Sequence, residues 1–156
     1  MKKTRAIEIL SDQGCKFELG EFQATEFTAE EVAAKLQLPL EQVFKTLVVE
    51  GEGSEPVLAV VPGDKELSLK KLAAAVGEKR MELVKLNDIQ RLTGYLKGGV
   101  SPLGTKRAMR VFIDESAMLY DRISVSAGLR GLQLLIAADV LCAAAHGTYA
   151  DLASEE

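Results

Sequence analysis

With one histidine, two cysteines and four prolines in 156 residues, this sequence is short of the groups from which catalytic and metal centres are commonly built. The lone histidine, His146, stands in AAAHGTYAD near the end of the sequence. A Ser-His-Asp or Cys-His arrangement would therefore have to be assembled around a segment that reads as a surface tail. Cys15 and Cys142 are far apart, with no second cysteine or histidine at ligand spacing. That argues against a zinc site and against a disulfide framework, and both thiols are expected to be small buried residues. Carboxylates are plentiful, but none is paired in an apolar setting that would tune one as an acid and another as a base. No stretch approaches the roughly 20 consecutive apolar residues of a membrane span. MKKTRAIEIL breaks its apolar positions with Arg5 and Glu8, unlike a secretory leader, so the cytoplasm is the expected compartment. An excess of positive charge is missing too: the formal charge of −4 speaks against a protein that grips nucleic acid over a broad face. A local grip stays open, with basic residues at Lys2, Lys3 and Arg5, at Lys70 and Lys71, at Lys106, Arg107 and Arg110, and at Arg122 and Arg130. Taken alone, such groups are ordinary solvated surface. A catalyst with this inventory has to rest on positioning, backbone dipoles, water or the substrate's own groups.

What is present describes one globular domain over residues 1–156, 47% hydrophobic and 27% charged, with no repeat, low-complexity tract or linker. Thr4 is placed to cap a first helix with an apolar stripe of Ala6, Ile7, Ile9 and Leu10, ended at Gly14. KFELGEF reads as extended. TAEE, residues 28–31, has the form of a capping box ahead of a short helix that buries Val32, Ala33 and Leu36, and Pro39 closes it or opens another turn. VFKTLVVE and PVLAVVP, joined by GEGSE, predict a hairpin in the middle of a sheet. Ser68 and Gly77 bracket the helix LKKLAAAV, RMELV is extended, and NDIQ opens another short helix. MRVFID, ISVSAG and LQLLI read as strands, ESAML as a helical turn and ADVLCAAA as a final helix. Strands and helices intermingle without regular βαβ alternation, which favours an α+β fold with a mixed sheet.

Three features invite chemistry. TGYLKGGVSPLGTKR, residues 93–107, holds Gly94, Gly98, Gly99 and Gly104 in fifteen residues. Backbone N–H groups in such a loop, from Gly98, Gly99 and Val100, can converge on an oxyanion or a phosphate, with Ser101 as a further donor and Pro102 stiffening the far end. On spacing alone a connection that merely needs positive φ angles is favoured, because neither the Walker pattern nor a dinucleotide fingerprint is present. Lys45 interrupts the apolar strand VFKTLVV on the same face as Val43 and Leu47. It either lines a cleft or, as is commoner, sits on a solvated strand face, with Thr46 pointing the other way. Ser126 ends a strand before Ala127-Gly128, where a hydroxyl commonly bonds local backbone and can instead project into a cleft.

In this order and spacing, VFKTLVV, TGYLKGGVSPLGTKR and ISVSAGLRGLQLLIAADVL resemble the signature segments of the YbaK family, free-standing relatives of the editing domain inserted in bacterial prolyl-tRNA synthetases. The resemblance runs from the first helix to the last and is closest to the Cys-tRNA(Pro) deacylase branch. It implies a single α+β domain whose mixed twisted sheet forms a partly open barrel flanked by short helices. It also implies that no cofactor or metal is needed. Lys45 falls on the family's essential lysine, thought to place the 3′-terminal adenosine and the aminoacyl ester. Gly98 to Pro102 matches the G-x-x-x-P loop that holds the acyl end through its backbone, including Gly99, Val100 and Ser101. Thr46, Tyr95, Ser126, Gly128 and Arg130 fall on substrate-binding positions, Leu129 standing where a lysine is more usual. The implied reaction has no protein nucleophile: the cysteinyl thiol attacks its own ester, a route that suits the missing triad. The implied partners are the CCA end of an aminoacyl-tRNA and, transiently, prolyl-tRNA synthetase. Two alternatives remain at this point: an alanine-specific or other deacylase that uses water, and a non-catalytic module that binds aminoacyl-tRNA ends.

Overall fold

The computed structural model describes residues 3–155, so Lys2 lies outside it. In chain order the elements are α1 (Arg5–Asp12), β1 (Glu18–Glu21), α2 (Ala29–Leu36), β2 (Phe44–Gly51), β3 (Val57–Pro62), α3 (Leu69–Val76), β4 (Met81–Leu83), α4 (Leu86–Thr93), β5 (Val111–Asp114), β6 (Ile123–Leu129), β7 (Leu132–Ile136), α5 (Ala138–Ala145) and β8 (Thr148–Ala150). Short 3-10 turns at Leu40–Gln42 and Glu115–Leu119 complete the chain. The local signals hold. The hydroxyls of Thr4, Thr28 and Ser68 accept from the backbone N–H three residues on, at Ile7, Glu31 and Lys71. Gly77 ends α3 at φ +91°, a conformation a side chain would resist.

Five strands form a mixed sheet in the order β4-β2-β3-β5-β8. The β2-β3 hairpin is its centre, paired from Phe44↔Pro62 to Val49↔Val57. All six residues of β3 are buried, as a continuous apolar run requires when both faces of a strand are covered. Leu58 and Val60 face a cluster that includes Ile7 and Leu10 of α1 and Leu141 of α5. Val57, Ala59 and Val61 face a second cluster with Leu72 and Ala73 of α3, Met81 and Leu152.

A smaller sheet, in the order β1-β7-β6, packs beside the first. One of its faces, carrying Ile123, Val125, Leu132, Leu134 and Ile136, belongs to the first cluster. The other face carries Ser124, Ser126 and Gln133, all buried. The two sheets join through a parallel bridge between Val43 and Ser124 and do not close into a barrel.

The segment after α5 is not the surface tail expected around His146. β8 adds in parallel to β5, Leu152 is fully buried, and the Asp114 carboxylate accepts from the N–H groups of Leu152 and Ala153 at 2.8 and 2.9 Å. Burial works to raise the Asp114 pKa, but the Ser116 hydroxyl and these amides outweigh it and hold the carboxyl below its ordinary value. Cys15 and Cys142 are free thiols and only partly buried, where buried residues are expected.

Candidate active site

The site arises where β2 changes partners. One edge of β2 pairs with β3 from Phe44 to Val49. The other edge is shared: Val43, just before the strand, bridges Ser124 of β6, and Val49 to Gly51 pair with β4. Between these attachments, residues 45–47 have no strand on that side among the described residues. The Val84 N–H donates to the Val48 carbonyl at 2.9 Å, so Val48 points its backbone groups to this edge. Backbone groups alternate along a strand, and Thr46 therefore turns its own N–H and C=O toward the gap.

A cavity of about 450 Å³ opens there, a size suited to a small ligand or one end of a larger one. Among the positions singled out in the sequence, Lys45, Thr46, Gly98, Val100 and Ser126 line it. Lys45 is half-buried and shares its strand face with Leu47 and Val49, which join the α3 cluster; in the unpaired stretch it reaches the cavity round the edge. The Thr46 hydroxyl is buried with no hydrogen-bond partner, an unfilled donor and acceptor at the cavity wall. Ser126 spends its oxygen on the Gly128 N–H at 3.1 Å, the local turn bond, and still faces the cavity.

The remaining positions stand behind or beside the wall. Tyr95 is buried, donates its hydroxyl to the Leu103 carbonyl at 2.6 Å, and has its pKa pushed up to about 12 by burial. Its ring packs closely on Gly128: a Cβ added there would meet the ring at 2.8 Å. It is a strut behind the glycine-rich loop. The Gly99 N–H is taken by the Leu96 carbonyl at 2.8 Å, and the Ser101 hydroxyl, fully buried, accepts from the Leu103 N–H at 3.3 Å. Pro102 is buried with them. Arg130 donates from Nε to the Lys97 carbonyl at 2.8 Å and lays its guanidinium over the Phe27 ring, 3.9 Å from the centroid. His146 caps α5 in a left-handed conformation and does not line the cavity.

The outer wall is a strap, residues 22–28, whose middle, residues 23–27, carries no signal in the sequence reading. Phe22 donates its N–H to the Gly131 carbonyl at 2.9 Å. Phe27 takes φ +61°, strained for a side-chain residue, and presses on Gly98, where a Cβ would sit 2.5 Å from that of Phe27. Glu31 ties the strap down. The capping-box reading expects its carboxylate to return to the N-cap. It reaches further, accepting from the Thr25 hydroxyl at 2.6 Å and from the N–H groups of Thr25, Glu26 and Phe27 at 2.8 to 3.1 Å. These bonds, the Thr25 hydroxyl foremost, outweigh the opposing effect of burial and lower the Glu31 pKa to about 2.

Other wall residues were missed for definable reasons. Lys97 sits in the glycine-rich loop but was overshadowed by its neighbours. Leu83 and Leu86, 53% and 60% exposed, form part of the rim and look like any apolar residues of short elements. Gln133 is the one polar residue in LQLLI, a signal that alternation could have exposed.

Comparisons with known proteins agree with this architecture. Residues 24–142 match the aminoacyl-tRNA editing domain family. The chain is 38% identical over 157 aligned residues to EbsC of Enterococcus faecalis, named as a Cys-tRNA(Pro)/Cys-tRNA(Cys) deacylase, covering 99% of this chain and 96% of that one. An 87-residue stretch, 56% of this chain, is 39% identical to the proline-tRNA ligase of Nitratidesulfovibrio vulgaris and covers 15% of that longer protein. Among solved structures, a protein described as a trans-editing enzyme for prolyl-tRNA synthetase superposes with a TM-score of 0.86 at 26% identity, over 96% of this chain and 95% of that one. With its fold and most of its length accounted for by these likenesses, the chain belongs to the aminoacyl-tRNA editing domain family.

Proposed function

We propose that the gap beside β2 is a deacylation site that removes cysteine mischarged onto proline tRNA. The observation that carries this reading is the make-up of the wall. Its polar members are Lys45, Thr46, Lys97, Ser126 and Gln133, with Thr28, Glu30 and Glu31 toward the strap. Neither histidine nor cysteine is among them, and the Glu31 carboxylate is engaged by the strap. Such a wall binds and orients an ester without attacking it. The cysteinyl thiol then does the work: its sulfur bonds to the acyl carbon, the ester C–O bond breaks, and the thiol proton passes to the departing 3′ oxygen, leaving a thiolactone. The thiol and the carbonyl already belong to one aminoacyl group, so what the site adds is orientation, holding the sulfur in line with the acyl carbon. Lys45 steadies the ester and the terminal adenosine, and Gly98 to Pro102 shapes the seat of the acyl end.

The kinship supports the substrate: EbsC is named for cysteine on proline and cysteine tRNAs. The match to part of a proline-tRNA ligase supports a transient complex with that synthetase, from which an acidic protein with a narrow grip gains its choice of tRNA. The test is deacylation of Cys-tRNA(Pro), Ala-tRNA(Pro) and Pro-tRNA(Pro) by the purified protein. Cysteine is expected to leave rapidly while the other two esters persist. Release of alanine at the same rate rules out the thiol as the nucleophile, and survival of all three esters rules out the deacylase.

A further inference from the structure

On the cavity side of the small sheet, Ser124 and Gln133 form a buried polar pair that none of the roles above uses. Ser124 is fully buried, Gln133 is 5% exposed, and the serine hydroxyl donates to the Gln133 Oε1 at 2.7 Å. Gln133 lies directly across the strand pair from Ser126, and Ser124 is diagonal to it, so all three share one face. With Oε1 satisfied from behind, the Nε2 amide is left without an acceptor among the hydrogen bonds of the described residues, and the side chain lines the cavity. The amide opens on the cavity, where a ligand can supply the acceptor that the protein does not. Its neutrality matters as well. A fixed, uncharged donor at a wall screened from water stabilises negative charge that develops during a reaction and needs no reorganisation to do so. The glycine-rich loop does not fill this need completely, because the Gly99 N–H is already spent on Leu96.

We propose that Gln133 donates from Nε2 to the acyl carbonyl oxygen of the ester in this cavity, and that Ser124 is the positioning residue that aims it. The proposal rests on the deacylase reading for its substrate, but the aim of the amide is a property of the protein alone. Gln133→Leu keeps the bulk and removes the donor. Its kcat on the cysteinyl ester of proline tRNA is expected to fall about a hundredfold, the loss typical of one oxyanion donor, with KM little changed. Ser124→Ala, which never touches the ester, is expected to lower kcat about tenfold, and Ser124→Thr, which keeps the hydroxyl, to restore most of it. Unchanged kcat in Gln133→Leu, or a rise in KM alone, overturns the carbonyl assignment. The second measurement needs no turnover: the Gln133 side-chain amide is followed by ¹H–¹⁵N NMR. Two well-separated resonances that collapse toward free-amide positions in Ser124→Ala support the aim, and free-amide positions in the wild type overturn it. If the wild type spares every ester, the deacylase reading falls while the NMR result still decides the role of Ser124.

Discussion

The α3 face of the β2-β3 hairpin and the free edge of β2 end in opposite states. Toward α3, Val49, Val57, Ala59 and Val61 meet Leu72, Ala73, Met81 and Leu152, and the side is closed and apolar. Toward β6, the same strand β2 loses its neighbour for three residues, and a cavity opens with Thr46 unpartnered in its wall. What separates them is where strand pairing stops, and the cavity lies where it stops.

Substitutions break this comparison in order of size. Lys45→Ala, at the open edge, is expected to lower deacylation of Cys-tRNA(Pro) on the order of a hundredfold to a thousandfold or more while leaving the thermal midpoint in place. Single-turnover deacylation beside a melting curve checks it, and a wild-type rate would remove Lys45 from the mechanism. Leu72→Ala, on the closed side, is expected to do the reverse: about 2–5 kcal/mol of stability lost in denaturant titration, with the folded fraction deacylating at the normal rate. Glu31→Gln has the smallest effect and sharpens the comparison through pH. The folded pKa lies near 2, against an ordinary 4.5, so the carboxylate contributes its stabilisation in full above about 4.5 and loses it as pH falls toward 2. The difference in thermal midpoint between wild type and Glu31→Gln should be largest near neutrality and shrink across that acid window. A constant difference would mean that the charge is not what holds the strap.

Legibility in the sequence followed the range of the interaction. Thr4, Thr28 and Ser68 act three residues away, and their capping roles were readable. So was the β2-β3 hairpin, because turn chemistry and β-branched runs lie side by side. β8 escaped because three residues show no alternation and their partner, β5, lies more than thirty positions away. The gap escaped for the same reason, since it depends on where β6 and β4 cease to pair. Lys45 stood out only as a charge in an apolar run, and its access to the cavity is a tertiary fact. Within the glycine-rich loop, Gly98 needed its positive φ, as a backbone role implies, whereas Ser101 and Pro102 turned inward to close the loop on itself.

The unpaired stretch of β2 has a consequence beyond the cavity it opens. A free strand edge is the surface on which protein chains assemble into unwanted sheets and fibres. Here it spans only residues 45–47, set between β6 and β4 and screened by the strap that Glu31 holds down. A second sheet is too broad to enter a slot of this length. The recess thus keeps this short free edge of β2 away from strand-by-strand assembly.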